Sequence, residues 1–204
     1  MEYNSKQIEI LNISLKLFAE KGFDGTSIRD IAKAADINVA MISYYFGSKE
    51  KLLEAIVINR VSGFSMILEN LQTEEISPVE KIKKFVALYI TRLFQNKDFY
   101  QIVHFEIVNQ KRACDFSAFS EIKKKNLLLL ENIIAEGQKA NVFKSISNPH
   151  LIPAIIIGTF SQVYNNKKFY YELLNLKNEK EFENYIANDF KEEITNVVLG
   201  MLIK

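Results

Sequence analysis

The stretch NVAMISYYFGSK, residues 38–49, concentrates small, aromatic and hydroxyl-bearing side chains that suit contact with nucleic acid. Small Ala40 allows close approach to a base edge and can touch a thymine methyl group. The ring or hydroxyl of Tyr44 can reach a base or a phosphate, while Tyr45 and Lys49 suit phosphate oxygens. These residue types therefore predict a DNA-contacting surface.

Two short helices are predicted to position these side chains. Ser27 and Asp30 fit a capping box at the start of the first helix, and Asn38 fits the N-cap of the second. Asp36 lies in the turn between them, where aspartate tolerates the left-handed region of backbone conformation. Two short helices joined by a tight turn predict a helix-turn-helix, whose second helix lies in a DNA major groove.

The second helix is predicted to have an anchoring face and a contact face. Val39, Ile42 and Phe46 fall at i, i+3 and i+7, which predicts the side that packs on the first helix. The contact face is uncharged and carries Ala40, Met41, Tyr44 and Tyr45. Gly47 then ends the helix and Ser48 caps the next one.

Helical periodicity continues along the rest of the chain. Further helices are predicted at about 49–71, 78–95, 98–111, 116–140, 149–171 and 179–203. The pattern shows no strand-like alternation. The predicted fold is therefore all-α, with a three-helix DNA-binding head over residues 1–50 and a larger helical domain over residues 51–204.

The composition limits the kinds of partner and compartment. The 204 residues are 48% hydrophobic and carry a net charge of +1, and the first 51 contain seven basic and seven acidic residues. DNA binding must then depend on a few well-placed groups. The single cysteine, Cys114, excludes an internal disulfide and a paired-cysteine zinc site, so neither a metal nor a cofactor is expected. With no membrane-length apolar run and no signal-peptide pattern, a cytoplasmic protein without membrane contact is predicted.

Residues 8–53 resemble the N-terminal DNA-binding domain of TetR-family transcription regulators. The matching pieces are LFAEKGF (17–23), TSIRDIAKAA (26–35) and YYFGSKEKLL (44–53). The resemblance implies a two-fold dimer on double-stranded DNA with a palindromic operator. The predicted base-side contacts are Arg29, Val39, Ala40, Ser43 and Tyr44; the phosphate-side contacts are Thr26, Tyr45 and Lys49, with the capping residues Ser27 and Asn38 beside them.

Two positions depart from the family pattern. Asp36 stands where the family commonly has a turn glycine, and Val39 stands where a basic or polar residue often begins the second helix. Because valine cannot hydrogen-bond a base, readout at this position must be apolar or absent.

The C-terminal domain is predicted to form a homodimer through residues 149–203, as the resemblance implies. The last helix has an apolar stripe wider than one core face needs, made of Phe182, Tyr185, Ile186, Phe190, Ile194, Val197, Val198, Met201 and Leu202. Gly158 and Ser161 are small enough to let another helix approach. A last helix buried entirely within its own subunit is the alternative.

The resemblance also implies a small-molecule effector, and the density of aromatic residues in the C-terminal domain permits a mostly apolar cavity. The predicted lining residues are Phe64, Phe85, Tyr89, Tyr100, His104 and Phe105. His104 is also compatible with a hydrogen-bonded core histidine. The function predicted is a ligand-responsive transcription regulator, a repressor that releases its operator when the effector binds.

Three alternatives stay open. A transcription activator of the same fold differs only in where its operator lies. A helical ligand-binding or interaction protein without DNA binding is compatible with the neutral N-terminal segment. An enzyme is disfavoured because His104 and His150 are far apart in the chain, and no HExxH, GxSxG or glycine-rich phosphate loop occurs.

Overall fold

The computed structural model describes residues 3–109, 114–146 and 148–203, apart from the side chains of residues 101, 104, 105 and 107–109. The described residues form eleven α-helices and one π-helical segment. Within them there is no β-strand, and an isolated antiparallel bridge joins Phe143 to Ile203. The all-α prediction is confirmed. None of the helices in the described ranges is long and apolar enough to cross a membrane.

The helix bounds follow the predicted ones closely. They are α1 (Ser5–Lys21), α2 (Ile28–Ala34), α3 (Val39–Phe46), α4 (Lys49–Thr73), α5 (Pro78–Gln95), α6 (Lys97–Asn109), α7 (Ser117–Lys139), α8 (Leu151–Asn165), α9 (Lys167–Leu173), α10 (Glu179–Tyr185), the π-helical segment (Ile186–Phe190) and α11 (Lys191–Leu202). The predicted helix over 149–171 is interrupted at Asn166. The side-chain amide of this residue donates to the Gln162 carbonyl over 2.9 Å and competes with regular helical bonding.

The π-helical segment has a physical cause in the spacing of the last apolar stripe. Its buried members recur at every fourth residue: Phe182, Ile186, Phe190, Ile194, Val198 and Leu202. In an α-helix a four-residue step overshoots one turn by about 40°, so a long stripe of this spacing drifts around the helix. The wider π turn takes up an extra residue and keeps the stripe directed at the core.

The first of two compact units comprises residues 1–64 and 96–123. In it α1 packs against α2 and α6, and α2 packs against α3. Its core contains Ile10, Leu11, Phe18, Ile31, Ile42, Leu52 and Phe99, each at most 2% exposed. This packing fixes the two short helices of the helix-turn-helix.

The second unit comprises residues 65–95 and 124–204, with α5 packed against α8 and α11. Its buried polar side chains are paired. Lys81 donates to the Gln72 carbonyl at 3.0 Å and to the Glu136 carboxylate at 2.9 Å, and Ser65 donates to the side-chain oxygen of Asn126. Such pairing offsets the cost of burying polar groups. The predicted division of the chain at residue 50 stays a prediction.

Candidate nucleic-acid interface

The start of α2 is held by the predicted capping box. The Ser27 hydroxyl accepts the Asp30 backbone N–H at 3.1 Å and donates to the Asp30 carboxylate at 2.6 Å, while the Ser27 N–H donates to the same carboxylate at 2.9 Å. The hydrogen bond from the Ser27 side chain is the main cause that lowers the pKa of Asp30 below its ordinary value. The capping-box prediction is confirmed.

The turn between α2 and α3 adopts the predicted left-handed conformation at Asp36, whose φ is 50°. Asn38 is the N-cap of α3, and its side-chain oxygen accepts the Ala40 N–H at 2.9 Å. One contact was not predicted: the Lys6 ammonium of α1 donates to the Ala35 carbonyl at 3.1 Å. This bond caps the end of α2 from 29 residues away, a distance over which no local sequence pattern could reveal it.

The face of α3 that packs into the core differs from the predicted one. Ile42 and Phe46 are buried as expected, but Val39 is 39% exposed, so its prediction as an anchor is wrong. Met41 and Tyr45, predicted on the contact face, are half-buried instead. The buried stripe of α3 therefore consists of Ile42 and Phe46, with the half-buried Met41 and Tyr45 beside it. Val39, the first residue of the helix, lies outside the core.

The exposed face of α3 consists of four uncharged side chains: Val39, Ala40, Ser43 and Tyr44. Tyr44 is the most prominent, at 81% exposure. Its ring lies edge-on to that of Tyr45, with ring centres 5.4 Å apart. An uncharged surface on a short helix suits contact with base edges, because it adds no desolvated charge to the interface.

Two predicted phosphate contacts are instead engaged within the protein. The Thr26 side chain is buried, and its hydroxyl donates to the carbonyls of Leu17 and Gly22 at 3.1 and 2.9 Å. Lys49 is half-buried. Its ammonium donates to the carbonyls of Phe23 and Thr26, both at 2.9 Å, and lies 4.3 Å from the centre of the Phe23 ring. These bonds tie the first residue of α4 to the loop between α1 and α2.

The remaining predicted DNA contacts are Arg29 on α2 and the capping residues Ser27 and Asn38. Arg29, the second residue of α2, is exposed, and so is Ser27. At the surface of one unit the structure thus presents Ser27, Arg29, Asn38, Val39, Ala40, Ser43 and Tyr44, whereas the Thr26 side chain does not reach the surface. Whether each exposed residue contacts DNA stays a prediction.

The predicted effector residues are distributed over both units. Phe85 and Tyr89 lie in the second unit, buried, with ring centres 4.7 Å apart. Phe64 and Tyr100 belong to the first unit. The side chains of His104 and Phe105 lie outside the described residues, so their predicted contacts stay predictions.

The described residues of the second unit line at least two clefts. One, of about 400 Å³, lies between α4 and α5 and is lined by Leu71, Lys84 and Leu88 among others. The other, of about 290 Å³, lies between the end of α5 and the π-helical segment and is lined by Phe94, Ile186 and Lys191 among others. Of the predicted effector residues whose side chains are described, Phe64, Phe85, Tyr89 and Tyr100, none lines either cleft.

The predicted interface stripe on the last helix is largely used inside the chain. Phe182, Ile186, Phe190, Ile194, Val198 and Leu202 are buried within the second unit. The alternative of a stripe buried in its own subunit therefore accounts for most of it. Val197 is 49% exposed and Met201 is half-exposed, and these two residues extend the apolar surface beyond the core.

No metal centre is indicated in the described ranges, since no group of three or more His, Cys, Asp or Glu side chains there is arranged to hold an ion.

Family models match both parts of the chain. Residues 10–56, a segment that includes α2 and α3, match the model described as bacterial regulatory proteins, tetR family. Residues 78–184 match the model of a tetracyclin repressor-like C-terminal domain.

Curated relatives and solved structures agree with these matches. The chain is 34% identical over 152 residues to "Probable HTH-type transcriptional regulator YttP" of Bacillus subtilis (strain 168), covering 72% of each chain. It is 26% identical over 163 residues to the HTH-type transcriptional repressor NicS of Pseudomonas putida, covering 78% of this chain and 75% of NicS. The crystal structure of the transcriptional regulator FadR from Bacillus subtilis in complex with stearoyl-CoA is similar in fold, with a TM-score of 0.70 at 18% identity, covering 94% of this chain and 97% of FadR.

Proposed function

Because the chain belongs to the tetR family of bacterial regulatory proteins, and is therefore a DNA-binding transcription regulator, we propose that it binds a palindromic operator as a homodimer and releases it when a mostly apolar molecule binds. The observation that carries the DNA-binding part is the exposed, uncharged face of α3 within the matched segment. α3 enters the major groove, and Val39, Ala40, Ser43 and Tyr44 approach base edges. Arg29 contributes a cation from α2.

Phosphate contacts position the protein on the duplex in this proposal. The hydroxyl of Tyr45, at the end of α3, suits a phosphate oxygen, whereas the Ser27 hydroxyl at the start of α2 already donates to the Asp30 carboxylate. The N-terminus of α4 adds the positive end of a 25-residue helix. With so few cations, binding has a modest dependence on salt concentration.

We propose that the protein represses transcription. The relative NicS carries the name of a repressor, and the release of an operator on effector binding relieves repression directly. An activator of the same fold would differ in the position of the operator relative to the promoter. Because its DNA target lies in the bacterial cytoplasm, we place the protein there, and we propose no catalytic role for it.

The homodimer is proposed to form through residues 149–203, on the sides of α8 and α11 that the chain leaves open. A β-carbon added at Gly158 or Gly200 would meet no atom of the chain within 4 Å, and Val197 is 49% exposed beside Gly200. Leu151, at the start of α8, is also 49% exposed. Small residues next to exposed apolar ones let a second helix pair approach closely. An obligate interface of about 2,000 Å² or more is expected.

The dimer is tested by replacing residues on this surface. Val197→Asp is expected to give monomers at micromolar concentration in sedimentation, with unchanged helical circular dichroism, because Val197 does not contribute to the core. Gly158→Leu is expected to weaken the dimer as well, although its own chain offers room for an added β-carbon. Val142→Asp is the matched control, since Val142 is 38% exposed and lies outside residues 149–203. A wild-type monomer in the same experiment would contradict the proposal.

The effector is proposed to be a molecule with a long apolar chain. The similar FadR structure holds stearoyl-CoA, and the predicted lining residues Phe85 and Tyr89 lie side by side on α5, buried. In this proposal apolar side chains of this kind pack against an acyl chain, while a few polar groups set its orientation. The effector contacts of Phe64, Tyr100, His104 and Phe105 stay predictions.

Transmission from effector to DNA is proposed to run through α4 and α7, each of which has residues in both units. The Glu54 carboxylate of α4 is buried. It accepts the Lys51 ammonium at 2.7 Å and the Asp115 N–H, just before α7, at 2.8 Å. A shift of α7 therefore moves α4, which begins at Lys49 directly after the helix-turn-helix. A hundredfold preference of the effector for the DNA-free state supplies about 2.7 kcal/mol.

Two measurements test the proposed function. Selection from random duplexes is expected to enrich a palindrome, and Tyr44→Ala is expected to alter the enriched bases, whereas the exposed control Lys16→Ala leaves them unchanged. Titration of stearoyl-CoA, with coenzyme A as control, is then carried out with and without the operator. Because coupling is reciprocal, operator DNA is expected to weaken effector affinity by the factor by which effector weakens DNA affinity. Equal affinity in both titrations would contradict the coupling.

A further inference from the structure

We infer that α3 reads its operator through thymine methyl groups, so that each half-site places thymines against Val39, Ala40 and Tyr44. This inference rests on the proposed function, because it requires α3 to lie in the major groove. It goes further in that it names the chemical feature of the DNA that α3 recognises.

The first support is that α3 has no group free for two-point hydrogen bonding to a purine. Guanine is read in this way by Arg or Lys, and adenine by Asn or Gln. Residues 39–46 contain none of these types. Asn38 stands just before the helix, but its side-chain oxygen accepts the Ala40 N–H at 2.9 Å, so the two-point arrangement that adenine requires would cost the helix its cap.

The second support is what α3 exposes instead. Val39 and Ala40 present methyl groups, and Tyr44 presents its ring at 81% exposure. The C5-methyl group of thymine is the apolar feature of the major-groove edge, and apolar side chains are its natural contacts. The hydroxyl of Ser43, between them, offers a single hydrogen bond that several bases can satisfy.

The spacing of these side chains fits adjacent positions of one half-site. Ala40 and Tyr44 are four residues apart, which corresponds to about 6 Å along the helix axis. Base pairs follow one another at about 3.4 Å. With α3 along the groove, Ala40 and Tyr44 therefore meet methyl groups about two base-pair steps apart, and Val39 extends the contact beyond Ala40.

The experiment removes only the methyl group. Each thymine of a half-site in the selected operator is replaced in turn by deoxyuridine, which keeps every hydrogen-bonding group. Where the methyl group of a thymine is buried against α3, this replacement is expected to lower the affinity of the protein for the operator about fourfold. Thymines in the flanking DNA outside the half-sites are the control and are expected to show no change.

The reverse substitution and two variants complete the test. Where a T·A pair is replaced by C·G, affinity is expected to fall, and 5-methylcytosine at that position is expected to recover the methyl contribution. Tyr44→Ala is expected to abolish the sensitivity of one thymine to deoxyuridine, while Tyr44→Phe, which keeps the ring, preserves it. Circular dichroism confirms that both variants are folded, as the exposure of Tyr44 leads us to expect.

The outcomes separate this inference from the proposed function. A selected operator that tolerates deoxyuridine at every position, or that has no thymine in its half-sites, overturns the inference while leaving DNA binding intact. A deoxyuridine effect that Tyr44→Ala and Ala40→Gly leave unchanged at every thymine also overturns it, since the methyl groups would then act through another element. A selection that enriches no operator overturns both.

Discussion

Replacing Lys49 with methionine is expected to destabilise the first unit although the substituted side chain keeps most of its length and its apolar stem. The variant lacks two hydrogen bonds of 2.9 Å from the ammonium to the carbonyls of Phe23 and Thr26, and the interaction of the ammonium with the Phe23 ring. A hydrogen bond to a charged group contributes about 1.5–3 kcal/mol, and a cation–π interaction at an exposed site about 0.5–1 kcal/mol.

The expected destabilisation is smaller than the sum of these contributions. Lys49 is half-buried, so water replaces part of the hydrogen bonding to the two carbonyls. We expect the free energy of unfolding to fall by about 2–3 kcal/mol. For a chain of this size the midpoint of thermal unfolding then falls by roughly 4–12 °C. Denaturant unfolding followed by circular dichroism measures the change. The matched control is Lys16→Met, on an exposed position of α1, expected within about 0.5 kcal/mol of the wild type.

Operator binding by the same variant distinguishes two roles for Lys49. If its ammonium acts by holding α4 against the loop at Phe23 and Thr26, Lys49→Met lowers affinity without changing the dependence of log Kd on log salt concentration. If instead the ammonium binds a phosphate, as the sequence predicted, the slope falls by about 0.9 for each phosphate that the variant no longer neutralises. We expect an unchanged slope. A stability equal to that of the wild type together with a reduced slope would refute the positioning role.

Two further predictions concern local packing and capping. Gly137→Ala is expected to lower the free energy of unfolding by about 1–3 kcal/mol, because the added β-carbon would overlap the buried ring of Phe143. The control is Asn132→Ala, at an exposed position of the same helix. Equal stability of the two variants in denaturant unfolding would contradict the reasoning. Ser27→Ala is expected to lower the free energy of unfolding by about 1 kcal/mol at neutral pH, because it removes the cap. The folded pKa of Asp30 lies below its ordinary value of 3.8, so its hydrogen bonds stabilise the fold fully above that pH and are lost as pH falls through the folded pKa. The difference in unfolding free energy between Ser27→Ala and the wild type is therefore expected to shrink in acid. A difference that stays constant with pH would contradict this.

The sequence by itself determined the features that depend on neighbouring residues. The capping box of Ser27 and Asp30, the left-handed turn at Asp36 and the cap of α3 at Asn38 were all predicted correctly, because each involves atoms no more than three residues apart. The helical periods and the all-α class followed in the same way from local patterns. Together with the resemblance of residues 8–53, they were sufficient to predict the helix-turn-helix and the family.

Tertiary structure decided which side chains are available at the surface. Spacing placed Val39 in the core and Tyr45 on the contact face, but packing of α3 rotates the helix so that Val39 is exposed and Tyr45 is half-buried. The partners of Lys49 lie 23 and 26 residues before it, and those of Thr26 include a carbonyl nine residues away. A side chain of given chemistry can face solvent or a carbonyl of the same chain, and only the arrangement of the helices selects between them. The burial of an ammonium or hydroxyl is therefore a property of the fold, because the energy of its hydrogen bonds depends on atoms that the local sequence does not bring near.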